Sequence, residues 1–486
     1  MSRQTKNILR FLWPLFLFVP ANSTTTAQET NTSNLTMESF TFEADKGQQI
    51  IAEKGSLLVP ENRSDPNSRL IPINFIKFKS TAKKPASPIV YLAGGPGGSG
   101  ISITKRGFEL FEGLTTVADV IVFDQRGTGE GAIRCPEAIP LPIDRVVKYE
   151  EVLRIVSEQS LACKKHWQEK GYDLSGYTTV ESAHDVDDLR RALGIKKINL
   201  LGASYGSHYA LAIMKLHETS VDRAVIAGIE GLDNTLKLPS YYENHFDDIN
   251  AFIQKDPDLS VKIPDIKKML QHILQRLDNK PEIVTIFDKK SGKNIDIHLG
   301  KFDVQLQVWG GTGRNNASAS IPAMIYKMSQ GDFETIAQRA YRFKTRALRL
   351  SAMTIMMDGA SGASKARTKQ IASEVEGSLF GNVVNFLFPE VGTAWNAPDL
   401  GDAYRSALQS DLPILIISGT MDPRTPVVNG DELAKGLPNS QHLIVTGIGH
   451  PPSFMSLKDE IHTFFGGEQL STLIVEGRKV EFDPIE

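Results

Sequence analysis

The residues that point most directly to chemistry are 202–206, with the sequence Gly-Ala-Ser-Tyr-Gly. They follow an apolar run typical of a buried strand and precede a helical pattern over residues 207–217. A G-x-S-x-G sequence between a strand and a helix is typical of a nucleophile elbow, a turn so tight that the residues two places before and after the serine must be small. The pattern predicts that Ser204 is a catalytic nucleophile. The alternative is a glycine-rich structural turn.

A serine nucleophile also needs donors for the negative charge that develops on the attacked carbonyl oxygen. In an elbow, the backbone N–H of Tyr205 faces the same space as the serine side chain. A second glycine-rich segment, residues 93–100, follows the strand-like residues 88–92 and lacks the Lys-Ser/Thr pair of a phosphate-binding P-loop. We therefore expect this segment to supply the second donor. Pro96 has no N–H, so Gly95 is the first choice and Gly97 the second.

The base that activates the serine is expected downstream. Asp422 follows the apolar residues 413–418, and His450 follows residues 442–445 in a loop with two glycines. In this order, His450 would be the general base and Asp422 would hold its tautomer and stabilise the imidazolium. His208, one turn after Ser204 on the same helix, is the local rival for the role of base.

Composition restricts the class of protein. The 486 residues are 41% apolar and 23% charged, which is ordinary for a globular protein and argues against a disordered chain, a coiled coil or a polytopic membrane protein. With 54 basic and 57 acidic residues, the net charge is −3, so nothing recommends a nucleic-acid partner. Two cysteines are too few for a multi-cysteine metal site. We expect no metal and no organic cofactor.

The elements that must position these residues alternate along the chain. Between residues 47 and 228, short apolar runs ending in glycine-containing turns alternate with helical patterns, which predicts an α/β fold with a mostly parallel sheet flanked by helices. Residues 70–78 alternate instead and predict an earlier, antiparallel strand. Thr178 and Glu181 fit a capping box at the start of one helix. Residues 231–400 are mainly helical with one strand-like piece at 282–299, so they read as an insertion.

The sequence predicts six segments along the chain. Residues 1–27 have the basic and then apolar pattern of a secretory signal peptide, with candidate cleavage sites at Ala21 and after residues 25–27. The further segments are a disordered linker (28–44), a first core part (45–232), a cap (233–399), a second core part (400–468) and a C-terminal extension (469–486) that resembles an added hairpin.

Export predicts a secreted or periplasmic protein without stable membrane insertion after signal cleavage. In such an oxidising compartment, Cys135 and Cys163 are expected to form a disulfide. The alternative is a pair of buried thiols.

Several motifs together resemble a known family. Residues 94–98, 124–129, 177–179 with 185–194, and 202–206 resemble the proline iminopeptidase branch of the α/β-hydrolases, and the closer likeness is to its larger secreted, tripeptidyl-aminopeptidase-like members. The resemblance covers about residues 45–232 and 400–465. It implies an α/β-hydrolase fold with a large, mainly helical cap inserted before the last strands. It places Ser204, Asp422 and His450 on the triad positions and Gly95 and Tyr205 on the oxyanion positions.

The sequence departs from that family where substrate would bind. The loop begins with Ala93 in place of the usual His, and Glu230-Gly231 stands where the family usually has Asp-Gly. Glu230 is the positional candidate for substrate binding, because open α/β sheets bind ligands beyond the carboxyl ends of their strands. The alternative is a solvated loop carboxylate. Glu243, Asp247 and Asp248 offer further carboxylates that could face a substrate ammonium group.

Asp124 and Arg126, in the turn after another predicted strand, admit two interpretations as well. They could contact substrate directly, or they could tie loops together by charge-assisted hydrogen bonds. We favour the structural role.

The resemblance implies a secreted serine hydrolase, first of all an aminopeptidase that releases N-terminal residues from short peptides through an acyl-Ser204 intermediate. A carboxylic-ester or amide hydrolase acting on a small acyl substrate is the alternative within enzymes. A catalytically inactive, hydrolase-like binding protein is the alternative outside them.

Overall fold

The structure is a computed structural model that describes residues 34–314, 318–346 and 348–485. The segment predicted to be a signal peptide lies outside these residues.

One large sheet dominates this part of the chain. The strands are β1 (Leu35–Glu43), β2 (Gln49–Pro60), β3 (Leu70–Phe78), β4 (Ala86–Leu92), β5 (Ala118–Phe123), β6 (Ile198–Ser204), β7 (Val221–Ile229), β8 (Glu282–Asp288), β9 (Lys293–Leu299), β10 (Ile414–Gly419), β11 (Ser440–Thr446) and β12 (Ile474–Glu476).

Ten of these strands form the sheet in the order β1-β2-β3-β5-β4-β6-β7-β10-β11-β12. The pairs from β1 to β5 are antiparallel, and every pair from β5 to β12 is parallel. The central parallel strands are mainly apolar and largely buried; β10, for example, is buried at all of its positions. Such strands form where helices cover both faces of a sheet, so the predicted α/β class is confirmed.

The helices are α1 (Gly100–Arg106), α2 (Phe108–Leu114), α3 (Tyr149–Glu169), α4 (Thr179–Ala192), α5 (Tyr205–His217), α6 (Pro239–Ile253), α7 (Pro257–Lys262), α8 (Ile266–Asn279), α9 (Lys301–Gly311), α10 (Ile321–Ser329), α11 (Glu334–Arg346), α12 (Ala352–Ser361), α13 (Lys365–Val375), α14 (Glu390–Ala394), α15 (Gly401–Arg405), α16 (Val427–Ala434) and α17 (Lys458–Phe465). Among the described residues, no helix is both long enough and apolar enough to cross a membrane.

Apolar side chains form three cores. Helices α3, α4 and α5 cover one face of the sheet, and α2 and α17 cover the other. A third core lies within the insertion between β7 and β10 and includes apolar residues of α6, α8, the β8–β9 hairpin, α10 and α11. The later helix α12 packs into the first core through Met353 and Met357. The insertion is therefore partly a separate layer and partly a component of the main fold.

Two sequence expectations are wrong near the ends of the chain. Residues 28–44 were expected to be a disordered linker, yet residues 35–43 form β1, which pairs along its whole length with β2. The C-terminal extension was expected to add a hairpin. Instead β12 adds a parallel strand beside β11, and Ile485 packs into the core of the insertion. Both segments are polar at many positions and gain order from pairing or packing with distant residues.

The capping box at the start of α4 is half formed. The Thr178 hydroxyl accepts a hydrogen bond from the Glu181 backbone N–H at 3.2 Å, as expected. The Glu181 carboxylate, however, forms an ion pair with Arg63 at 2.6 Å. A charged partner far along the chain therefore replaces the local reciprocal bond of a capping box.

The turn after β5 is structural. Arg126 is fully buried, forms a two-pronged ion pair with Asp185 with both bonds at 2.7 Å, and donates to the backbone carbonyls of Glu61 and Gly176. The Asp124 carboxylate accepts from the Ser99 hydroxyl at 2.6 Å. These bonds hold the loops beside the sheet together, which agrees with the structural role favoured from the sequence.

The two cysteines are joined. Cys135 and Cys163 form a disulfide that closes a loop of 28 residues and ties the segment after β5 to α3.

Candidate active site

Ser204 lies at the turn between β6 and α5 in the backbone conformation of a nucleophile elbow. Its φ of 58° and ψ of −128° are unusual for a residue with a side chain. A Cβ atom at position 202 would lie 2.3 Å from the Gly206 carbonyl oxygen, and one at position 206 would lie 2.2 Å from that of Leu92. Only glycine fits at both places, so the spacing of the motif is a steric requirement of this turn.

Three side chains predicted from distant parts of the sequence meet at the elbow. The His450 Nε2 atom lies 2.8 Å from Ser204 Oγ, and His450 Nδ1 lies 2.8 Å from Asp422 Oδ2. Asp422 follows β10 and His450 follows β11, so adjacent strands deliver the acid and the imidazole to the same edge of the sheet. The hydrogen bonds run from the carboxylate through the imidazole to the hydroxyl, which is the geometry of a general-base relay.

The Asp422 carboxylate is buried and fully satisfied. Besides His450, it accepts from the backbone N–H groups of Arg424 and Thr425 at 2.9 and 3.0 Å and from the Thr425 hydroxyl at 2.6 Å. Burial alone would raise the pKa of Asp422, but the His450 charge and these hydrogen bonds outweigh burial and lower the pKa overall. The residue is therefore held as an anion facing His450.

Thr425 also contacts the imidazole, a role that sequence analysis missed. Its hydroxyl lies 2.9 Å from His450 Nδ1 as well as 2.6 Å from Asp422 Oδ2. It therefore bridges the two groups. Its place three residues after Asp422 was the available signal, because short-range side-chain bonds of this kind are common in turns.

The two expected oxyanion donors lie beside Ser204. Tyr205 is the first residue of α5, so its N–H is one of those that a helix leaves without an internal partner. Gly95 lines the same cavity as Ser204. Gly95 belongs to the glycine-rich residues 93–100, the oxyanion loop. This loop passes so close to the elbow that a Cβ atom at position 94 would lie 2.8 Å from the Ala203 carbonyl oxygen and 3.5 Å from Ser204 Cβ.

His208 is placed away from the nucleophile. Its ring is fully buried, with Nε2 at 2.7 Å from the Tyr404 hydroxyl and Nδ1 at 3.2 Å from the Gly231 carbonyl oxygen. Burial lowers the pKa of His208. The structure thus gives this histidine packing partners, and it is His450 that contacts Ser204.

Ser204 and His450 open into a cavity of about 150 Å³ between the sheet and the insertion. Its other lining residues come from the oxyanion loop, the loop after β7, the insertion and the loop after β10. They are Gly95, Pro96, Glu230, Thr235, Leu236, Lys237, Tyr242, Trp309, Asp358, Val384, Asn385, Phe386, Phe388, Arg424 and Thr425. The cavity is smaller than the ~300–1,000 Å³ of typical drug-sized sites.

Carboxyl groups lie at one part of this cavity. Glu230, the positional candidate, is buried and pairs with Lys237 at 2.7 Å. Asp358, on α12, lines the cavity and makes no side-chain hydrogen bond or ion pair with any residue that the structure describes. Burial raises the pKa of the Asp358 carboxyl well above its usual range, and the Glu230 charge raises it further while Lys237 opposes it. Glu230 and Asp358 thus have one cationic neighbour in common, Lys237.

The other expected carboxylates lie elsewhere. Glu243 accepts from the Leu379 N–H and pairs with Lys267, which also pairs with the exposed Asp247. Asp248 lines a separate cavity. Asp358 was missed because nothing in its local sequence distinguishes it; only the packing of α12 against the main core brings it to the site.

Comparison with known proteins agrees with the geometry. A family described as alpha/beta hydrolase fold matches residues 87–455. A tripeptidyl aminopeptidase of Streptomyces lividans is 27% identical over 213 residues, or 41% of this chain. A proline iminopeptidase of Arabidopsis thaliana is 25% identical over 194 residues, 40% of each chain. The resemblance inferred from the motifs is confirmed at this level.

The chain spans only 38% of the length of the Streptomyces relative. The Escherichia coli K12 protein YuaR, described as a hydrolase, is matched over more of its length, at 23% identity across 80% of this chain and 78% of that protein. The family match extends over well over half of the chain and encloses Ser204, Asp422 and His450. This chain therefore belongs to the alpha/beta hydrolase fold family.

Proposed function

We propose that this protein is a serine aminopeptidase that releases N-terminal residues from short peptides. The observation that carries the proposal is the placement of Asp358 in the same cavity as a hydroxyl bonded to a histidine. Asp358 is a partly buried carboxyl group without a hydrogen-bond or ion-pair partner among the described residues. The first feature suits recognition of an amino terminus, and the second suits attack on an acyl carbon.

The reaction follows from the contacts of Ser204. His450 Nε2 takes the hydroxyl proton as Ser204 Oγ attacks the carbonyl carbon, and Asp422 stabilises the resulting imidazolium. The N–H groups of Gly95 and Tyr205 would receive the oxyanion. His450 then protonates the leaving amine, which breaks the peptide bond and leaves an acyl group on Ser204. A water molecule, deprotonated by His450, releases the acid and restores the hydroxyl.

Selection for a free amino terminus follows from the charges of the cavity. Lys237 already neutralises one carboxylate, so ionising Asp358 would leave an uncompensated buried charge, which is costly. A substrate ammonium would supply the second cation and allow Asp358 to ionise. Binding therefore completes two ion pairs from two acids and two cations. Glu230 acts in this arrangement by fixing Lys237 and by favouring a cation beside Asp358.

One observation favours the second candidate, an ester or amide hydrolase acting on a small acyl substrate. Lys237 is a cation already bound at Glu230, and a neutral acyl group could fill the remaining space with Asp358 protonated. The triad would serve both reactions equally. The two candidates differ in whether a positive charge on the substrate raises the rate.

Matched chromogenic substrates test this difference. We expect alanine 4-nitroanilide to be cleaved with a kcat/KM at least ~100-fold above that of its N-acetyl derivative, since loss of a buried charge pair costs ~3 kcal/mol or more. Ser204→Ala gives the background rate. Equal rates for the two anilides would overturn the aminopeptidase proposal, and hydrolysis of 4-nitrophenyl butyrate alone would establish the esterase.

We also propose that the protein is exported to the periplasm or secreted. The basic and apolar pattern of residues 1–27 and the Cys135–Cys163 disulfide support this, because disulfides persist in oxidising compartments. N-terminal sequencing of the protein recovered from outside the cytoplasm should show a start between residues 21 and 28. A protein that retains Met1 and is recovered with the cytoplasmic fraction would contradict export.

A further inference from the structure

Arg424 is a cation in the active-site cavity, and among the described residues it has no anionic partner. It lines the cavity together with Ser204 and His450. Its side chain makes no ion pair or hydrogen bond with any residue in the described part of the chain, and its Nε atom is buried without a partner. A buried guanidinium N–H without an acceptor is costly, so a partner supplied by a ligand would be stabilising.

The guanidinium is nevertheless held in place. It lies over the indole ring of Trp309, 5.3 Å from the ring centroid, in a cation–π contact. Its own backbone N–H donates to Asp422 at 2.9 Å, which anchors the base of the side chain to the triad. A second arginine, Arg314, is close by: burial lowers the pKa of Arg314, and the charge of Arg424 lowers it further. This part of the cavity is therefore positive, and its planar donor group is preorganised.

The two charged parts of the cavity are anchored to different parts of the site. Asp358 belongs to α12, and Thr354, one turn earlier on that helix, donates to the Pro96 carbonyl of the oxyanion loop at 3.1 Å. The acidic part thus adjoins the loop that would hold the acyl group. Arg424 lies after β10 in the loop whose Asp422 and Thr425 contact the His450 imidazole. Because His450 must protonate the leaving amine, the leaving group would lie beside this loop.

We propose that Arg424 binds a carboxylate carried by the leaving group, close to the scissile bond. This proposal rests on the proposed aminopeptidase function and narrows its substrate class to short zwitterionic peptides, with the ammonium at Asp358 and the carboxylate at Arg424. A guanidinium binds a carboxylate through two parallel N–H···O bonds, which gives orientation as well as affinity. The carboxylate has two sources: the free C-terminus of a dipeptide, or an acidic side chain on the first residue of the leaving group.

Three peptides separate these sources without altering the protein. Ala-Ala carries the C-terminal carboxylate, Ala-Ala-amide carries none, and Ala-Glu-amide carries only the side-chain carboxylate. We expect kcat/KM for Ala-Ala, or for Ala-Glu-amide, to exceed that for Ala-Ala-amide by about 10-fold or more, as for a charged hydrogen-bonded pair. Whichever carboxylate raises the rate identifies the source. Equal rates for all three peptides would overturn the proposal.

Variants of Arg424 then assign the effect to this side chain. In Arg424→Gln the ratio of acid to amide rates should fall to about one, and in Arg424→Lys part of the ratio should return. Arg154→Gln, an exposed arginine of α3, is the matched control and should keep the wild-type ratio. A ratio that survives in a folded Arg424→Gln protein would show that another group binds the carboxylate.

Alanine 4-nitroanilide keeps the two proposals apart, because it has a free amine but no carboxylate. If the wild type cleaves this anilide well but does not discriminate among the three peptides, only the Arg424 proposal fails. If neither the anilide nor any peptide is cleaved, the aminopeptidase function fails first and the Arg424 proposal with it.

Discussion

The core side and the insertion side of the active-site cavity differ in how their polar groups are satisfied. On the core side, the Asp422 carboxylate accepts from two backbone N–H groups, Thr425 and His450, and His450 reaches Ser204. On the insertion side, Asp358 has no hydrogen-bond or ion-pair partner among the described residues. There too the Arg424 guanidinium, which comes from the loop after β10, lies over Trp309 of the insertion without an anion among those residues. The groups proposed to carry out the reaction are held by the protein itself, whereas the groups proposed to recognise substrate are left for the substrate to satisfy.

Polar groups left unsatisfied on the insertion side reduce the stability of the folded protein. A satisfied network is preorganised and rigid, while an unsatisfied buried charge destabilises the folded state until ligand arrives. Variants on the core side should therefore lose activity without gaining stability. Variants on the insertion side should exchange recognition for stability, the usual trade-off at binding sites.

Removing the nucleophile should have the largest effect. Ser204→Ala should lower kcat by several orders of magnitude, up to ~10⁶-fold, because the three groups act as a unit. Steady-state kinetics on alanine 4-nitroanilide measure the loss, and thermal unfolding confirms the fold. Ser456→Ala, at an exposed serine, is the control and should be indistinguishable from the wild type. Substantial turnover by Ser204→Ala would exclude Ser204 as the nucleophile.

Changing the acid should be severe but smaller. Asp422→Asn should reduce kcat by roughly 10⁴-fold, since the amide no longer holds the required imidazole tautomer. His450→Ala should approach the loss seen for Ser204→Ala. If His450→Ala kept much of its activity, a different base would be implied, and the buried His208 would have to be reconsidered.

On the insertion side, Asp358→Asn should reduce kcat/KM for free-amine substrates by about 10- to 100-fold, because the substrate ammonium loses its charged partner. The kcat/KM for the N-acetyl anilide should change much less. The ratio of free to acetylated anilide rates should therefore be lower in the variant than in the wild type. The exposed Asp402→Asn variant is the matched control. An unchanged ratio in Asp358→Asn would move amine recognition elsewhere.

The same variant should be more stable than the wild type in a pH-dependent way. The pKa of Asp358 is raised in the folded state, so folding disfavours its ionised form and the wild type loses stability as pH rises above the value of an unfolded aspartate. Asp358→Asn removes that loss. The difference in Tm between variant and wild type should grow from acid to neutral pH, reaching a few degrees. A difference that stays constant with pH would contradict the buried, raised-pKa carboxyl.

Loss of the disulfide should affect stability while leaving the cavity's selectivity intact. Cys135→Ser with Cys163→Ser should lower the free energy of unfolding by ~3–4 kcal/mol for a loop of this size. Denaturant unfolding measures the change, and the ratio of free to acetylated anilide rates should remain that of the wild type. Uptake of two alkyl groups by the denatured, unreduced wild type would show that the bridge is absent.

The core side was predictable because its chemistry is encoded locally. Gly202 and Gly206 flank Ser204 for steric reasons, and Asp422 and His450 each follow an apolar strand. A parallel sheet brings such strand ends to one edge, so the pattern of strands already implies the meeting of the three side chains.

The insertion side was not predictable in the same way. Asp358 reaches the cavity because α12 packs into the main core. Arg424 is distinguished by a buried Nε atom that has no hydrogen-bond partner among the described residues. Neither property has a sequence motif. Glu230 was located by its position after β7, but its pairing with Lys237 depends on how the chain turns before α6. The order of residues 35–43 likewise depends on pairing with β2, which local composition does not reveal.

The central claim, that Ser204 is a nucleophile activated by His450, is tested most directly by labelling the folded protein with a fluorophosphonate and mapping the modified peptide by mass spectrometry. We expect a single adduct on Ser204 in the wild type and Asp358→Asn, and a strongly slowed reaction in His450→Ala. No adduct, or an adduct at another residue, would contradict the account.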